Sequence, residues 1–366
     1  MSIIINMKLT AKVKLHLTAE QHNALLETLE TVNQACNDIS QQAWEKQVFK
    51  QFDIHRLVYY DIRERHNLSA QITVRAIAKV ADAYKIDQDT QRTFRPHGAI
   101  PYDNRILRWY VDLQEVSIWT MNGRQRVPFL AGDRHMELLQ SQRGESNLCY
   151  IDGEFYLFTT CDVETPEPID VEDYLGVDLG IINIAVDSDG NQYAGNQINN
   201  LRERGARLRA RLQGKGTKSA KRLLKKRSKK EQRFRQDVNH VIAKELVQRA
   251  KDTVRGIALE DLQGIRERTT VRKARRRLHQ SWAFHDLRYK IEYKAELAGV
   301  PVVFVDPRNT SRTCPKCGYI DKRNRKTQSE FSCVRCYFSG NADHIAAVNV
   351  AQRAIDSRAA VTPPVV

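Results

Sequence analysis

Two Cys-x-x-Cys motifs constrain this chain more than any other feature of its sequence. Cys314-Pro-Lys-Cys317 and Cys333-Val-Arg-Cys336 stand on either side of residues 318–332. Each motif places two thiolates on one turn, and two such turns complete a tetrahedron around Zn²⁺ with little help from a hydrophobic core. The spacing therefore predicts a structural zinc ribbon. Its ligands would be Cys314, Cys317, Cys333 and Cys336. Two disulfides or a redox-active Cys-x-x-Cys motif are the alternative interpretation.

The charge of the chain narrows the class of partner that it binds. Its 366 residues carry a formal net charge of +15, which predicts attraction to phosphate backbones or anionic membrane surfaces. No stretch approaches the roughly 20 apolar residues of a membrane span. Residues 1–8 lack the charged lead, apolar run and cleavage site of a signal peptide. Cys36, Cys149 and Cys161 stand alone and are expected to be buried thiols in a reducing compartment. We therefore expect a cytoplasmic protein that binds nucleic acid.

The N-terminal half combines one strand, a helical segment and a run of short strands. Alternating polar and apolar residues over 7–17 predict a half-buried strand, and Thr18-x-x-Gln21 has the form of a capping box that starts a helix. Further helices are predicted over Ile54–Arg65 and from Ser69 to about Tyr84. Short alternating segments between about Phe94 and Val163 predict a small β-barrel or sandwich, which the first strand is able to join.

The C-terminal half alternates strands and helices after an acidic, proline-containing segment, Thr165–Pro168. We expect three strands, a helix, a strand, a helix, a strand, the ribbon and a last helix. The predicted elements are the strand Tyr174–Gly180, a hairpin through Asp187–Gly190, a basic helical stretch broken at Gly214–Gly216, the helix Val238–Ala250, the strand Gly256–Leu262, the helix Trp282–Leu297, the strand Val302–Val305 and the helix Asp343–Ile355.

Three acidic residues stand where a charge is costly. Asp178 and Glu260 interrupt apolar strands, and Asp343 opens the last helix. An ionised carboxylate among apolar residues has a large desolvation cost unless it is paired or binds a metal. Three such groups are suited to hold two Mg²⁺ ions roughly 4 Å apart, the arrangement that activates water for phosphodiester cleavage. Together with the element order, these acids suggest a ribonuclease H-like nuclease core.

Each of these acids also has a structural interpretation. An acid at the end of a strand is often a solvated terminus, and Asp343 is also suited to be the N-cap of its helix. Asp261 competes with Glu260, but strand alternation points the two side chains to opposite faces. Gly176 and Gly180 flank Asp178 and leave room for a ligand or for another backbone to approach.

Four motifs make the comparison with a known family specific. Gly176–Gly180, Leu259–Leu262, Val305–Gly318 and Asn341–Asn349 resemble the TnpB family of transposon-encoded, RNA-guided DNA nucleases, relatives of the compact type V CRISPR effectors. The resemblance covers most of the chain. It implies a RuvC-type catalytic triad that binds two Mg²⁺ (or Mn²⁺) ions, and one structural Zn²⁺. The triad would be Asp178, Glu260 and Asp343. One departure is Ile345, where the family pattern commonly has Asn.

The implied fold class is α/β plus β, with an RNase H-like (RuvC) nuclease core and an inserted Cys₄ zinc ribbon. A small β-barrel (wedge-like) domain with a helical-bundle insertion precedes the core. The expected boundaries are 1–17 and 92–168 for the barrel, 18–91 for the helical insert, 169–307 and 341–356 for the nuclease domain, 308–340 for the ribbon, and 357–366 for a disordered tail.

Two basic runs are candidates for nucleic-acid contact. Residues 202–235 contain sixteen Lys or Arg and two Glu, and 266–277 form a second run. A solvated helix face is the usual meaning of such a run, but this excess of charge would repel itself without a polyanion. Among aromatics near the second run, helical spacing favours core packing over base stacking. These aromatics are Trp282, Phe284 and Tyr289. Backbone contacts at the ribbon tip are expected from Arg323, Arg325 and Lys326.

The function implied by the resemblance is an RNA-guided, Mg²⁺-dependent DNA endonuclease that cuts beside a short adjacent motif. Its partners would be a guide RNA from the transposon end and double-stranded target DNA, with one protein chain per guide RNA. The protein would act in a bacterial or archaeal cytoplasm, where it would associate with the nucleoid. Three other functions stay open. They are a nuclease-dead repressor guided by RNA, a transposase acting directly on DNA strands, and a structural RNA-binding protein.

Overall fold

A computed structural model describes residues 6–180, 183–194, 196–262 and 284–361. The chain divides into two compact units, and the division falls between Glu164 and Thr165. The second predicted basic run, 266–277, and Trp282 lie outside the described residues. Within the described ranges, no helix is both long and apolar enough to cross a membrane.

The N-terminal unit is built on a near-closed, seven-stranded antiparallel sheet. In the sheet the strand order is β2-β6-β7-β1-β5-β4-β3, so the first strand of the chain joins the sheet and lies between β7 and β5. Side chains of both edge strands bond across the opening. The Tyr102 hydroxyl of β2 donates to the Trp119 carbonyl of β4 (3.0 Å), and the Trp109 indole of β3 donates to the Ser146 hydroxyl of β6 (3.3 Å). The strands are β1 (Asn6–Leu15), β2 (Ile100–Tyr102), β3 (Leu107–Tyr110), β4 (Glu115–Thr120), β5 (Gly123–Leu130), β6 (Gln142–Ile151) and β7 (Glu154–Glu164).

Helices cover the core of this sheet. They are α1 (Ala19–Glu45), α2 (Gln51–Arg65), α3 (Ala70–Ile86) and α4 (Asp133–Leu139). The predicted capping box is confirmed, because Thr18 and Gln21 each accept a hydrogen bond from the other's backbone N–H. Cys36 and Cys161 are buried thiols as predicted, whereas Cys149 is only half-buried.

The C-terminal unit holds a five-stranded mixed sheet in the order β10-β9-β8-β11-β12. Its strands are β8 (Tyr174–Asp178), β9 (Asn183–Asp187), β10 (Gln192–Ala194), β11 (Gly256–Glu260) and β12 (Val302–Val305). β8, β11 and β12 are parallel, and β9 and β10 are antiparallel to their neighbours. Leu259 is in register with Val177. Asp178 and Glu260 therefore end adjacent parallel strands at the same edge of the sheet.

The helices of this unit are α5 (Asn196–Lys215), α6 (Lys218–Asp252), α7 (Phe284–Ala298) and α8 (Ala342–Val361). The predicted break at Gly214–Gly216 is confirmed. The separate helix predicted at Val238–Ala250 is instead the end of α6, because neither Gly nor Pro interrupts residues 218–252.

The predicted disordered tail is wrong for residues 357–361, which continue α8. These residues are Ser-Arg-Ala-Ala-Val, and the first proline comes only at Pro363. Arg358 also forms an ion pair with Asp170 at 2.7 Å. Residues 362–366 lie outside the described part of the chain.

Gly176 lets α8 pack with its backbone directly on β8. A Cβ atom on Gly176 would lie 2.1 Å from the carbonyl oxygen of Ala347 and 2.6 Å from the backbone nitrogen of Ala351. The neighbouring Ala346 and Val350 are buried. The glycine thus leaves room for a backbone, one of the two possibilities that the sequence suggested.

We predict that Gly176→Ala lowers the free energy of unfolding by roughly 1–3 kcal/mol, because overpacking forces the helix and strand apart. Chemical denaturation of the two proteins checks this value. Gly214→Ala is the matched control, since a Cβ atom there meets no atom within 4 Å. Equal stability of Gly176→Ala and wild type would contradict the close contact.

Candidate active site and metal centre

The structure brings the three predicted acids together at one edge of the mixed sheet. Asp178 ends β8, Glu260 ends β11, and Asp343 is the second residue of α8. All three side chains are partly buried. The amide of Asn183, the first residue of β9, donates to Asp343 Oδ2 at 3.1 Å. Two parallel strands, an antiparallel strand and a helix therefore converge on one acidic site.

Burial disfavours ionisation of Asp178 and Glu260, and like charge adds to this effect at Asp178. Burial raises the pKa of Asp178 to about 8, with further contributions from the charges of Glu260 and Asp343, and Arg325 opposes them. Burial also raises the pKa of Glu260, although a hydrogen bond from Thr310 acts to lower it. A cation bound between the carboxylates would favour the ionised forms of Asp178 and Glu260.

Asp343 is not the N-cap of its helix. The side chain of Asn341 accepts from the backbone N–H groups of Asp343 (3.0 Å) and His344 (3.1 Å), so Asn341 fulfils the capping role. The carboxylate of Asp343 is thereby left to face Asn183 and Arg325. Arg325 lies on the ribbon and approaches Asp343 Oδ1 to 3.5 Å. The sequence placed Arg325 only at the ribbon tip, whereas the structure brings it to the carboxylates.

Asp261 has a different environment from its neighbour. Its carboxylate is exposed and accepts from Arg288 of α7 at 3.0 Å. It is not among the main causes of the raised pKa of Asp178 or Glu260. The alternation argument that separated these two adjacent acids is consistent with this geometry.

A buried hydrogen-bond network of Thr310 and Asn349, which the sequence did not predict, supports Glu260. The hydroxyl of Thr310 donates to Glu260 Oε1 at 2.5 Å. The amide of Asn349 on α8 donates to the carbonyl oxygens of Thr310 (2.7 Å) and Thr313 (2.8 Å). Thr310 and Asn349 are both buried. One available signal was that Asn349 is a lone amide in the apolar segment Ala346-Ala-Val-Asn-Val350.

The four ribbon cysteines have the geometry of a metal site. Their sulfur atoms all lie within 4.8 Å of one another. The closest pairs are Cys314–Cys336 at 3.5 Å and Cys317–Cys333 at 3.6 Å. Tetrahedral Zn–S bonds of about 2.3 Å place sulfurs roughly 3.8 Å apart, so the donor set fits Zn²⁺. All seven cysteines are free thiols, which argues against the disulfide interpretation.

The backbone favours ionisation of one ribbon thiol, Cys333, whereas burial raises the pKa of another, Cys314. Burial opposes ionisation of Cys333, but the N–H groups of Cys336 and Arg335, each 3.4 Å from its sulfur, help to lower its pKa to about 6. In the described ranges, this is the only group of three or more Cys, His, Asp or Glu with such close spacing. The oxygen atoms of the three carboxylates are not all within 4.8 Å of one another.

The ribbon shares its small core with α8. Its two antiparallel strands are β13 (Glu330–Ser332) and β14 (Ser339–Asn341), and β14 leads directly into the helix. Each Cys-x-x-Cys motif of the ribbon forms a turn that we call a knuckle. Phe331 packs in one buried cluster with Cys314 and Cys333, the first cysteines of the two knuckles, and with Ala342 and Ile345 of α8. Ile345, the departure from the family pattern, is therefore a core residue of the ribbon.

The first predicted basic run forms a strongly charged helical surface. Up to Asp237, Ala220 is the only buried residue that α6 contributes, whereas its later turns enter the core of the unit. Glu231, one of the two acids in the run, bonds to Arg209 of α5 at 2.9 Å. The exposed basic residues of α6 in this region are Lys218, Lys221, Arg222, Lys225, Lys226, Arg227, Lys230 and Arg233.

Tyr289 on α7 differs from the expected core packing. Its residue surface is 58% exposed, and its ring contacts only Tyr293 among the described aromatic pairs, with ring centroids 5.7 Å apart. The helical spacing that favoured a buried role does not decide which side of α7 faces the core. Tyr289 is therefore available for contact with a partner.

Comparison with known proteins finds two family models that match the chain and a solved structure with a similar fold. Residues 158–272 match the family described as "Probable transposase", and residues 284–350 match "Cas12f1-like, TNB domain". The chain is also similar over 95% of its length to the Cas12f1 chain of a cryo-EM Cas12f1–sgRNA–target DNA complex. That likeness has a TM-score of 0.63, covers 99% of that chain and shows 15% identity, so it supports the fold alone.

Sequence relatives define the family. The chain is 30% identical over 203 residues to the TnpB-like protein MJ0751 of Methanocaldococcus jannaschii, covering 52% of this chain and 72% of that protein. It is 33% identical over 222 residues to the CRISPR-associated endodeoxyribonuclease Cas12f1 of Sulfoacidibacillus thermotolerans, covering 56% of this chain. The match spans about half (51%) of that relative's length. The chain belongs to the TnpB family.

We predict that Asp178 makes the Mg²⁺-free protein less stable as pH rises. Folded Asp178 keeps its proton up to about pH 8, whereas an ordinary Asp loses it near 3.8. The folded state thus binds the extra proton between these values, and stability falls through that window. Asp178→Asn should gain stability over wild type increasingly toward pH 8 in thermal melts.

Two choices make this measurement specific. Gel filtration, rather than chelation, should remove Mg²⁺, because a chelator would also remove any ion bound by the ribbon cysteines. Asp189→Asn is a control of opposite sign, because hydrogen bonds from Arg255 lower the pKa of Asp189. That variant should lose stability at neutral pH. Parallel curves for Asp178→Asn and wild type would contradict the raised pKa.

Proposed function

We propose that this protein is an RNA-guided, Mg²⁺-dependent DNA endonuclease encoded by a transposable element. The observation that carries the proposal is the convergence of Asp178, Glu260 and Asp343 at one edge of the mixed sheet, where burial and like charge leave a demand for cations. A structural RNA-binding protein has no use for such a costly cluster.

We assign the mixed sheet and its helices to an RNase H-like (RuvC) nuclease domain. The support is the strand order, in which β8 is central. On one side β9 is antiparallel to β8 and β10 is antiparallel to β9, and on the other side β11 and β12 are parallel to β8. In this proposal the domain comprises 169–307 and residues from 341 through α8. The ribbon is 308–340, the wedge-like barrel is 1–17 and 92–168, and the helical insert is 18–91.

Each polar residue of the site has a proposed role. Asp178, Glu260 and Asp343 would hold two Mg²⁺ (or Mn²⁺) ions, since carboxylate oxygens are the ligands these ions prefer. The bound ions would activate water and stabilise the leaving oxygen of a phosphodiester. Thr310 is proposed to orient Glu260 through its 2.5 Å hydrogen bond. Arg325 would balance the acidic cluster from the ribbon side.

The nucleic-acid partners follow from the charge and from the relatives. The exposed basic turns of α6 suit a phosphate backbone, and we propose guide RNA, or its duplex with target DNA, as the ligand. One chain per guide RNA would suffice, with base pairing supplying sequence specificity and the protein reading a short adjacent motif. Similar proteins are named endodeoxyribonucleases, which supports DNA as the substrate.

The proposal predicts that Glu260→Gln abolishes DNA cleavage, whereas Asp261→Asn does not. The two acids are adjacent, but only Glu260 faces the cluster, and Asp261 instead bonds to Arg288. The assay is cleavage of a target plasmid by protein co-expressed with the RNA encoded at its own transposon end. Asp178→Ala should fail as Glu260→Gln does.

The same assay separates the other functions. Cleavage by Asp178→Ala at the wild-type rate would defeat the site assignment. Binding of the target without a cut in Mg²⁺ would favour an RNA-guided repressor. Strand joining that needs no RNA would favour a transposase that acts directly on DNA.

We also predict about one Zn²⁺ per chain, because a closed Cys₄ set suits a structural ion. Chelation should raise hydrogen exchange in the ribbon and in the first turn of α8, since they share one core. Helix α1 in the N-terminal unit is the internal control and should exchange unchanged. A reduced, folded preparation without bound metal would contradict the zinc site.

A further inference from the structure

The two cysteine knuckles of the ribbon share a backbone conformation but differ in the residue that follows the second cysteine. Gly318 follows the first knuckle, and Tyr337 follows the second. Each donates its N–H to the carbonyl of the first cysteine of its knuckle, Gly318 to Cys314 at 2.9 Å and Tyr337 to Cys333 at 3.0 Å. Both are left-handed, with φ of +70° and +58°. The knuckle therefore imposes a conformation that suits glycine.

Tyrosine at this position has a conformational cost that no packing offsets. A bulky residue with positive φ is an outlier, and such strain persists where the surrounding structure or a function requires it. The residue surface of Tyr337 is 82% exposed. The adjacent Phe338 is also 36% exposed. The aromatic ring is thus held out from the ribbon rather than recruited into its core.

The surroundings of Tyr337 favour a polyanion over an apolar partner. Residues 308–340 contain eight Lys or Arg and two acids. Arg335 belongs to the same knuckle, and its guanidinium lies 5.9 Å from the ring centroid of Tyr319. Exposed aromatic rings interleaved with basic residues are the composition of surfaces that bind single strands, because every base offers a face for stacking.

We propose that Tyr337 is a stacking platform for an unpaired base of single-stranded DNA. Tyr337 precedes Asp343 by six residues, which span at most about 21 Å even when fully extended. A base held on Tyr337 would therefore place its strand within a few nucleotides of the carboxylates. This inference rests on the proposed nuclease function, since it identifies the form of DNA that the ribbon presents to that site.

The experiment compares Tyr337→Gly with the wild-type chain, because glycine suits the backbone and removes only the ring. Binding of a short single-stranded DNA is measured by anisotropy without Mg²⁺, and stacking by quenching of a 2-aminopurine in the strand. Affinity should fall about tenfold and the quenching should disappear, in the range of a lost base–aromatic stack. The melting temperature should stay equal or rise, since the left-handed strain is relieved.

Further variants keep the inference testable if Tyr337→Gly fails to fold. Tyr337→Phe should keep both affinity and quenching, whereas Tyr337→Leu, which keeps apolar area without a π-system, should lose them. Ile320→Ala is the control, since Ile320 is a 51% exposed apolar residue of the same ribbon. It should leave both signals unchanged.

The outcomes separate this inference from the function on which it rests. Undiminished DNA affinity in Tyr337→Gly and Tyr337→Leu would overturn the stacking role even if the protein cuts DNA. Self-association that depends on Tyr337 and excludes DNA would overturn it in favour of a second copy of the chain. Loss of binding in these variants sustains it, whether or not the wild type cleaves, because the assay contains no cleavage step.

Discussion

The direct contact between the backbones of β8 and α8 at Gly176 is the constraint on which the C-terminal unit depends. No side chain separates strand from helix there, so the helix can occupy only one height above the sheet. Asp343 and Ala347 are one turn apart on the face that meets β8, which carries Asp343 to the edge where Asp178 ends its strand. The position of the third carboxylate is thus set by packing a full turn away from it.

Close packing is needed because the cluster itself opposes folding. Burial, with the charges of Glu260 and Asp343, raises the pKa of Asp178 to about 8, and burial raises that of Glu260 as well. Such a site keeps its geometry only where the surrounding structure supplies stabilising free energy. Here the packing of α8 and the buried hydrogen-bond network of Thr310 and Asn349 supply it. Arg325 offsets part of the repulsion, and bound cations would offset the rest.

The sequence singles out residues whose signal is local and does not reveal contacts that are tertiary. Asp178 and Glu260 stand out because a carboxylate interrupts an apolar strand, and the cysteines stand out by spacing. The hydrogen bond from Thr310 to Glu260 joins residues 50 apart in the chain, and no local pattern announces it. The continuity of α6 was missed because the change from basic to apolar composition resembles an end, although nothing in the backbone breaks the helix.

The departure at Ile345 shows that α8 contributes different residues to the ribbon core and to the acidic site. Successive residues of an α-helix turn by about 100°, so Ile345 points roughly opposite to Asp343. Ile345 enters the core of the ribbon, and Asn349, one turn later on that side, holds the loop that leads to Cys314. An apolar residue at 345 therefore adds to the contact between ribbon and helix and leaves the carboxylate face unchanged. The ribbon is held against the same helix that carries a proposed metal ligand, so disorder in one would be transmitted to the other.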